Sequence, residues 1–276
     1  MTSSELTFHN VDDLLGAHSR GRLPTSPGDA DFNPKHLGPM LELILYKSDG
    51  RHGPLSTSSW LNRSGQRPLR EALHGSSDEW YGDNQQQGFL RTCFDPLDDA
   101  SVPVRTRFLM AARRAAERVS AMPGAIAQSL AAAIREMETN VYEHSSNAAS
   151  GLLAFEARLE SFEFVVADCG VGVLETLKLA PEYSNLRDHG TALQITLQEG
   201  ASRYGKAANR GMGFKDLFVG LATLNADLRF RSGDHALTIA GPRPNAKIAQ
   251  VSQKAFFPGF LVSVRCTLPV AARARS

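Results

Sequence analysis

Cysteine is scarce. The chain of 276 residues has three, Cys93, Cys169 and Cys266, far apart and with no CxxC pair. This argues against a cysteine zinc site or a disulfide framework and predicts a reducing compartment, the cytoplasm. Excess charge is missing as well: 30 Lys and Arg stand against 29 Asp and Glu, a net charge of +1. Composition therefore gives no electrostatic ground to expect nucleic acid or an anionic membrane as a partner. No apolar run approaches the roughly 18–20 residues that cross a bilayer. The opening residues, MTSSELTFHNVDD, are polar and acidic where a secretory leader needs an apolar stretch. Two familiar phosphate signatures are also absent. There is no GxxxxGK[ST], and neither Gly170/Gly172 nor Gly211/Gly213 has the third glycine of a dinucleotide fingerprint.

What is present is ample core material, 42 % hydrophobic residues, in a chain long enough for one large domain or two small ones. Its character changes near residue 100. Residues 1–102 hold a Gly/Ser/Pro-rich stretch at 19–27, one short apolar run at 41–46, a glutamine tract at 85–87 and both tryptophans, Trp60 and Trp80. Helix and strand signals are weak there, which suggests a regulatory or partner-binding region, or an extension packed on the second half of the chain.

From Pro103 the periodicities are clear. Residues 105–120 read as an Ala/Arg-rich helix, broken at Met122-Pro123-Gly124. In residues 125–145, Ile126, Leu130, Ile134, Met137 and Val141 recur at spacings of 4, 4, 3 and 4, the stripe of an amphipathic helix. Two strands are expected next, at 152–159 and 162–167, the first alternating Phe155, Ala157 and Leu159 with Glu156 and Arg158. Helices are expected at 189–199 and 214–224. Strands are expected at 227–231, 235–240 and 260–268, with Ser232-Gly233-Asp234 turning the first two into a hairpin. Helices interleaved with hairpin strands imply the α/β class, an α/β sandwich with a helical layer on one face of a mainly antiparallel sheet.

Three groups of residues carry candidate chemistry. On the helix at 125–145, Glu136, Asn140, Glu143 and His144 form a polar stripe beside the apolar one, because residues three or four apart share a face. An ordinary solvated helix face reads the same way. Asp168 ends an apolar strand and precedes Gly170-Val171-Gly172. There a carboxylate can accept from an exocyclic amine such as adenine's, and it can equally be a turn aspartate. Arg210-Gly211-Met212-Gly213 opens a helix, where bare backbone N–H groups and the helix dipole favour an anion. Glycines at a helix entry also serve packing alone.

In order, Glu136-x-x-x-Asn140-x-x-Glu143-His144, Asp168-x-Gly170-x-Gly172 and Arg210-Gly211-x-Gly213-Phe214 resemble the N, G1 and G2 boxes of the GHKL ATPases. That superfamily comprises gyrase, Hsp90, MutL and the histidine kinases. The pattern is closest to anti-sigma-factor serine kinases and other stand-alone histidine-kinase-like ATP-binding proteins, and covers about residues 105–268. The resemblance implies a Bergerat-type α/β sandwich over residues 103–270 that binds ATP and Mg²⁺. Asn140 would hold the metal, Asp168 the adenine amine, and Gly170 and Gly172 would let the chain pass close to the base. His144 would lie near the phosphates, Gly211 and Gly213 would cap them, and Glu136 would activate water. The segment between the boxes, about 173–209, would be a lid, with Arg203, Lys206 and Arg210 as candidates for phosphate contact.

The resemblance leaves two functional classes open: an ATP-dependent switch or serine kinase acting on a partner protein, and an ATP-gated module or ATPase that phosphorylates nothing. A sensor histidine kinase is disfavoured, because none of the eight histidines is followed by Asp or Glu. The target and any homodimer are left open.

Overall fold

The computed structural model describes residues 4–21, 32–33, 35–48, 78–82, 84–92, 102–197, 217–218 and 221–269. Its centre is a six-stranded sheet built from β3 (Glu79–Tyr81), β4 (Gln87–Thr92), β5 (Gly151–Arg158), β6 (Ser161–Asp168), β7 (Asn225–Pro242) and β8 (Gln250–Thr267). The strands run in the spatial order β3-β4-β5-β6-β8-β7, and every neighbouring pair is antiparallel. The expected α/β sandwich is there, with the difference that helices cover both faces of the sheet rather than one, because helices of the N-terminal region pack on the second face.

Alternation along the strands assigns the faces. Phe162, Phe164 and Val166 of β6, with Leu153, Phe155 and Ala157 of β5, enter a core shared with two helices, α3 (Val102–Arg118) and α4 (Gly124–His144). Helix α3 presents Phe108 and four small alanines (111, 112, 115 and 116), and α4 presents Leu130, Ile134, Met137 and Val141, the stripe read from sequence. A part-buried ion pair, Arg105 Nε to Glu138 at 3.0 Å, joins the two helices.

The opposite face has a helical layer of its own. Helices α1 (Phe8–Ser19) and α2 (Leu37–Ser48) bury Val11, Leu15, Leu41, Ile44 and Tyr46 against Leu152, Ala154, Val165, Ala167 and Leu261. A short parallel pair, β1 (Ser4–Glu5) and β2 (Phe32–Asn33), flanks them. The residues before 102 thus supply two strands of the sheet and the cover of one face.

One expectation is corrected. Ser232-Gly233-Asp234 does not turn a hairpin; 225–242 is one continuous strand whose pairing with β8 shifts register at Ser232/Gly233 and again at Gly233/His235. Gly233, at φ +58°, and Gly259, at φ +69°, supply the left-handed residues of this bulged region. A positive-φ glycine serves a bulge as well as a turn, and the long-range pairing with 250–257 decides which forms. Strand β8 accordingly starts at Gln250, ten residues before the expected 260.

Between β6 and β7 lie α5 (Gly172–Leu177) and α6 (His189–Thr196), whose Leu174, Leu177 and Ala192 form a small core of their own. Asp188 caps α6 by accepting from Thr191 N at 2.6 Å. The described part of the expected lid, up to Leu197, therefore holds two packed helices joined by turns. Arg203, Lys206, Arg210, Gly211 and Gly213 lie outside the described residues.

Candidate functional site

A buried polar centre lies where β6 ends. Asp168 sits at the sheet's rim with 3 % of its surface exposed. Gly170 N donates to its Oδ1 at 2.7 Å, and the Phe260 backbone N–H is a second donor. Burial pushes its carboxyl up to about 6, against the pull of those two donors. A carboxylate offers about four lone-pair sites, so capacity remains for an amine and a water.

The turn after Asp168 is clasped from two sides. On one side is the end of α4: Val171 N donates to Ser145 O at 2.9 Å, and Thr176 Oγ1 lies 3.0 Å from His144 O. Gly170 is required there, since a Cβ would come within 2.0 Å of the Ser145 carbonyl oxygen. On the other side is the bulged part of β7 and β8. Ser232 Oγ accepts from Val173 N at 3.0 Å and donates to Gly259 O at 2.8 Å. Gly172, at φ +79°, has its missing Cβ position 2.7 Å from that same hydroxyl.

The residues expected from sequence fall into three sets. Asp168, Gly170 and Gly172 form one turn, and that turn is docked on the end of α4 that carries His144. Asn140, one helical turn earlier, is half-buried, and among the described residues nothing hydrogen-bonds its amide. Glu136, a further turn back, is 35 % exposed in its side chain and paired with Arg135 at 3.3 Å. Glu143 and His144 are half-buried neighbours, 3.9 Å apart at Oε2 and Nε2. The stripe is thus screened rather than freely solvated. The third set, Arg210, Gly211 and Gly213, lies outside the described residues.

Sequence reading missed Ser232, Gly259 and Ser145. Ser232 comes after a strand signal and Gly259 lies in a stretch with none, and their partners are 27 to 91 residues away in the chain. Ser150 is a further missed support, its Oγ accepting from Cys169 N at 2.9 Å. Among the described residues, no group of three or more His, Cys, Asp or Glu could hold a metal ion. A divalent cation here would therefore need other ligands, such as an amide oxygen, water and phosphate. Among those residues, too, no helix is long and apolar enough to cross a membrane. The chain matches no model of a known protein family, and no curated protein matches it.

Proposed function

We propose that the chain is a Mg-ATP-binding protein of the histidine-kinase-like ATPase superfamily, a cytoplasmic ATP-dependent switch or serine kinase that acts on a partner protein. One observation carries this reading: the Asp168–Gly172 turn is docked on the C-terminal end of α4 through Val171 N and Ser145 O at 2.9 Å. Two motifs more than twenty residues apart thereby meet, the turn of the buried Asp168 carboxylate against the end of the helix that carries the polar stripe.

The residues fit the ligand in chemical terms. The Asp168 carboxylate would accept the exocyclic amine of adenine, and burial strengthens that bond by excluding competing water. The Asn140 amide oxygen would supply the single protein ligand that a Mg²⁺ ion carried by phosphates needs. Magnesium, once bound, neutralises phosphate charge. This chain's own part is to orient the base through Asp168 and to offer Glu136 beside the phosphate end as a proton acceptor. Arg210, Gly211 and Gly213 are assigned to the phosphates by their sequence pattern alone.

The second reading, an ATP-gated module that transfers nothing, is favoured by the Arg135–Glu136 pair. A carboxylate already engaged by a guanidinium and about a third exposed is not the desolvated base that efficient hydrolysis uses. Purified protein with γ-labelled ATP and Mg²⁺, with and without cell extract, separates the readings. Label on a protein supports the kinase, free phosphate alone the ATPase, and saturable binding without either the module. Asn140→Ala should abolish Mg-ATP affinity, and a parent protein that shows no saturable ATP binding would defeat all three.

A further inference from the structure

The strand β8 passes between β6 and β7 at the rim, so one residue, Phe260, is paired with Asp168 on one side and Ser232 on the other. Just before it, Gly259 lies so close to Asp168 that a Cβ would come 2.1 Å from the Asp168 carbonyl oxygen and 2.7 Å from Oδ1. The Ser232 side chain fills the remaining corner. It is 1 % exposed, and its hydroxyl meets Val173 N at 3.0 Å and Gly259 O at 2.8 Å. A single hydroxyl therefore ties the backbone that comes after Asp168 to the backbone that presses on Asp168.

We infer that Ser232 is the positioning residue of the adenine-binding turn, an inference that rests on the nucleotide reading of this site. It touches no ligand. By accepting from Val173 and donating to Gly259, it holds Gly172 in its left-handed conformation and fixes the depth of the Asp168 carboxylate. Remove the hydroxyl, and a part-buried N–H and a buried C=O lose their partner together. The turn then has no reason to keep one register against β8, and the amine acceptor loses its fixed place.

The test uses the full chain at a temperature where every variant is folded by circular dichroism. Mg-ATP and Mg-GTP are titrated calorimetrically into the parent, Ser232→Ala, Ser232→Cys and Asp168→Asn, and amide exchange is followed without nucleotide. Ser232→Ala should weaken Mg-ATP by about tenfold, narrow the preference for ATP over GTP, and speed exchange at the Val173 amide but not at the Phe164 amide. A serine that only filled space would move none of these at a temperature where the fold is intact. Cysteine keeps the volume and bonds weakly, so Ser232→Cys should lie between; it decides the matter if the alanine variant does not fold. If both variants bind ATP within about twofold of the parent while Asp168→Asn loses it, Ser232 has no positioning role and the nucleotide reading stands. If the parent binds neither nucleotide, both fall.

Discussion

Arg231 on β7 and Glu42 on α2, 189 residues apart, meet at 2.8 Å with neither side chain exposed. Arg229 reaches the same carboxylate with two bonds, at 2.8 and 2.9 Å, and also pairs with Asp12 of α1. Arg231 spends its other nitrogens on the carbonyl oxygens of His235 and Ala255. Burial works against the charge on both arginines. For Arg229 the carboxylates of Glu42 and Asp12 more than offset it; for Arg231, with Arg229 beside it, burial prevails. These charges bind the N-terminal helices to the strand whose next residue, Ser232, clasps the Asp168 turn.

Taking Glu42 away would leave two guanidinium groups buried with much of their compensation gone. Breaking a buried pair from one side costs about 3–5 kcal/mol. Glu42→Ala should therefore unfold on the order of 10 °C below the parent, and the chain should give no stable fragment beginning near residue 102. Differential scanning calorimetry and limited proteolysis read both. An unchanged midpoint would mean that the arginines find other partners.

Why these helices escaped sequence reading is physical. Residues 37–46 are all buried, so the apolar signal of α2 has no 3.6-residue rhythm and shows only as the run at 41–46. Glu42, which in a sequence marks a solvent face, is there to meet Arg229 and Arg231, and nothing local announces partners so far away. Helix α4 was legible for the converse reason: one face meets the sheet and the other does not. The site divides in the same way. Asp168, Gly170 and Gly172 are adjacent in the chain and form a recognisable string, whereas Ser232 and Gly259 enter only once β7 and β8 have paired.

Asp168 predicts a trade between stability and binding. Its carboxyl titrates near 6 in the folded chain, above its unfolded value of 3.8. The folded state thus prefers the protonated form, so the stabilisation is fully present below about 4 and is lost as pH rises through about 6. At pH 7–8 the ionised group remains at a cost of up to ~3 kcal/mol. Asp168→Asn removes that pH-dependent cost but also acceptor capacity for the Gly170 and Phe260 N–H groups. It should therefore show a flatter midpoint between pH 4 and 6 and compare more favourably with the parent at pH 8 than at pH 4. It should also bind Mg-ATP at least about tenfold more weakly. Gly170 N claims the amide oxygen, so the new NH₂ would face adenine's amine donor to donor. A stability difference between parent and variant that stays constant from pH 4 to pH 8 would contradict the assignment.

The contact of the turn with α4 predicts an asymmetry between two glycines. At Gly170 a Cβ would collide with the Ser145 carbonyl, which is backbone and cannot rotate away. At Gly21, φ +63° strains any other residue, yet nothing lies within 4 Å. Gly21→Ala should cost about 1–2 kcal/mol through strain alone and leave ATP affinity unchanged. Gly170→Ala should cost about 1–3 kcal/mol and displace the turn from α4, so affinity falls with stability. Urea unfolding and nucleotide titration on both variants separate the two effects. Equal affinity for both would show that docking on α4 does not shape the site.

Glu136 is where the competing readings part. Its bond to Arg135 joins side chains 57 % and 35 % exposed, and such pairs contribute about 0–1 kcal/mol. The pair is thus too weak to be the reason for the carboxylate, and Glu136→Ala should leave thermal stability nearly unchanged. If Glu136 prepares water for attack, the same substitution should lower phosphate release by about 10²–10⁴ while Mg-ATP affinity stays within about threefold. Arg135→Ala should then keep or raise turnover, because it frees the carboxylate. Phosphate release that is the same in the parent, Glu136→Ala and Arg135→Ala would make Glu136 a surface residue of the helix. The hydrolytic reading would then give way to a nucleotide-gated switch.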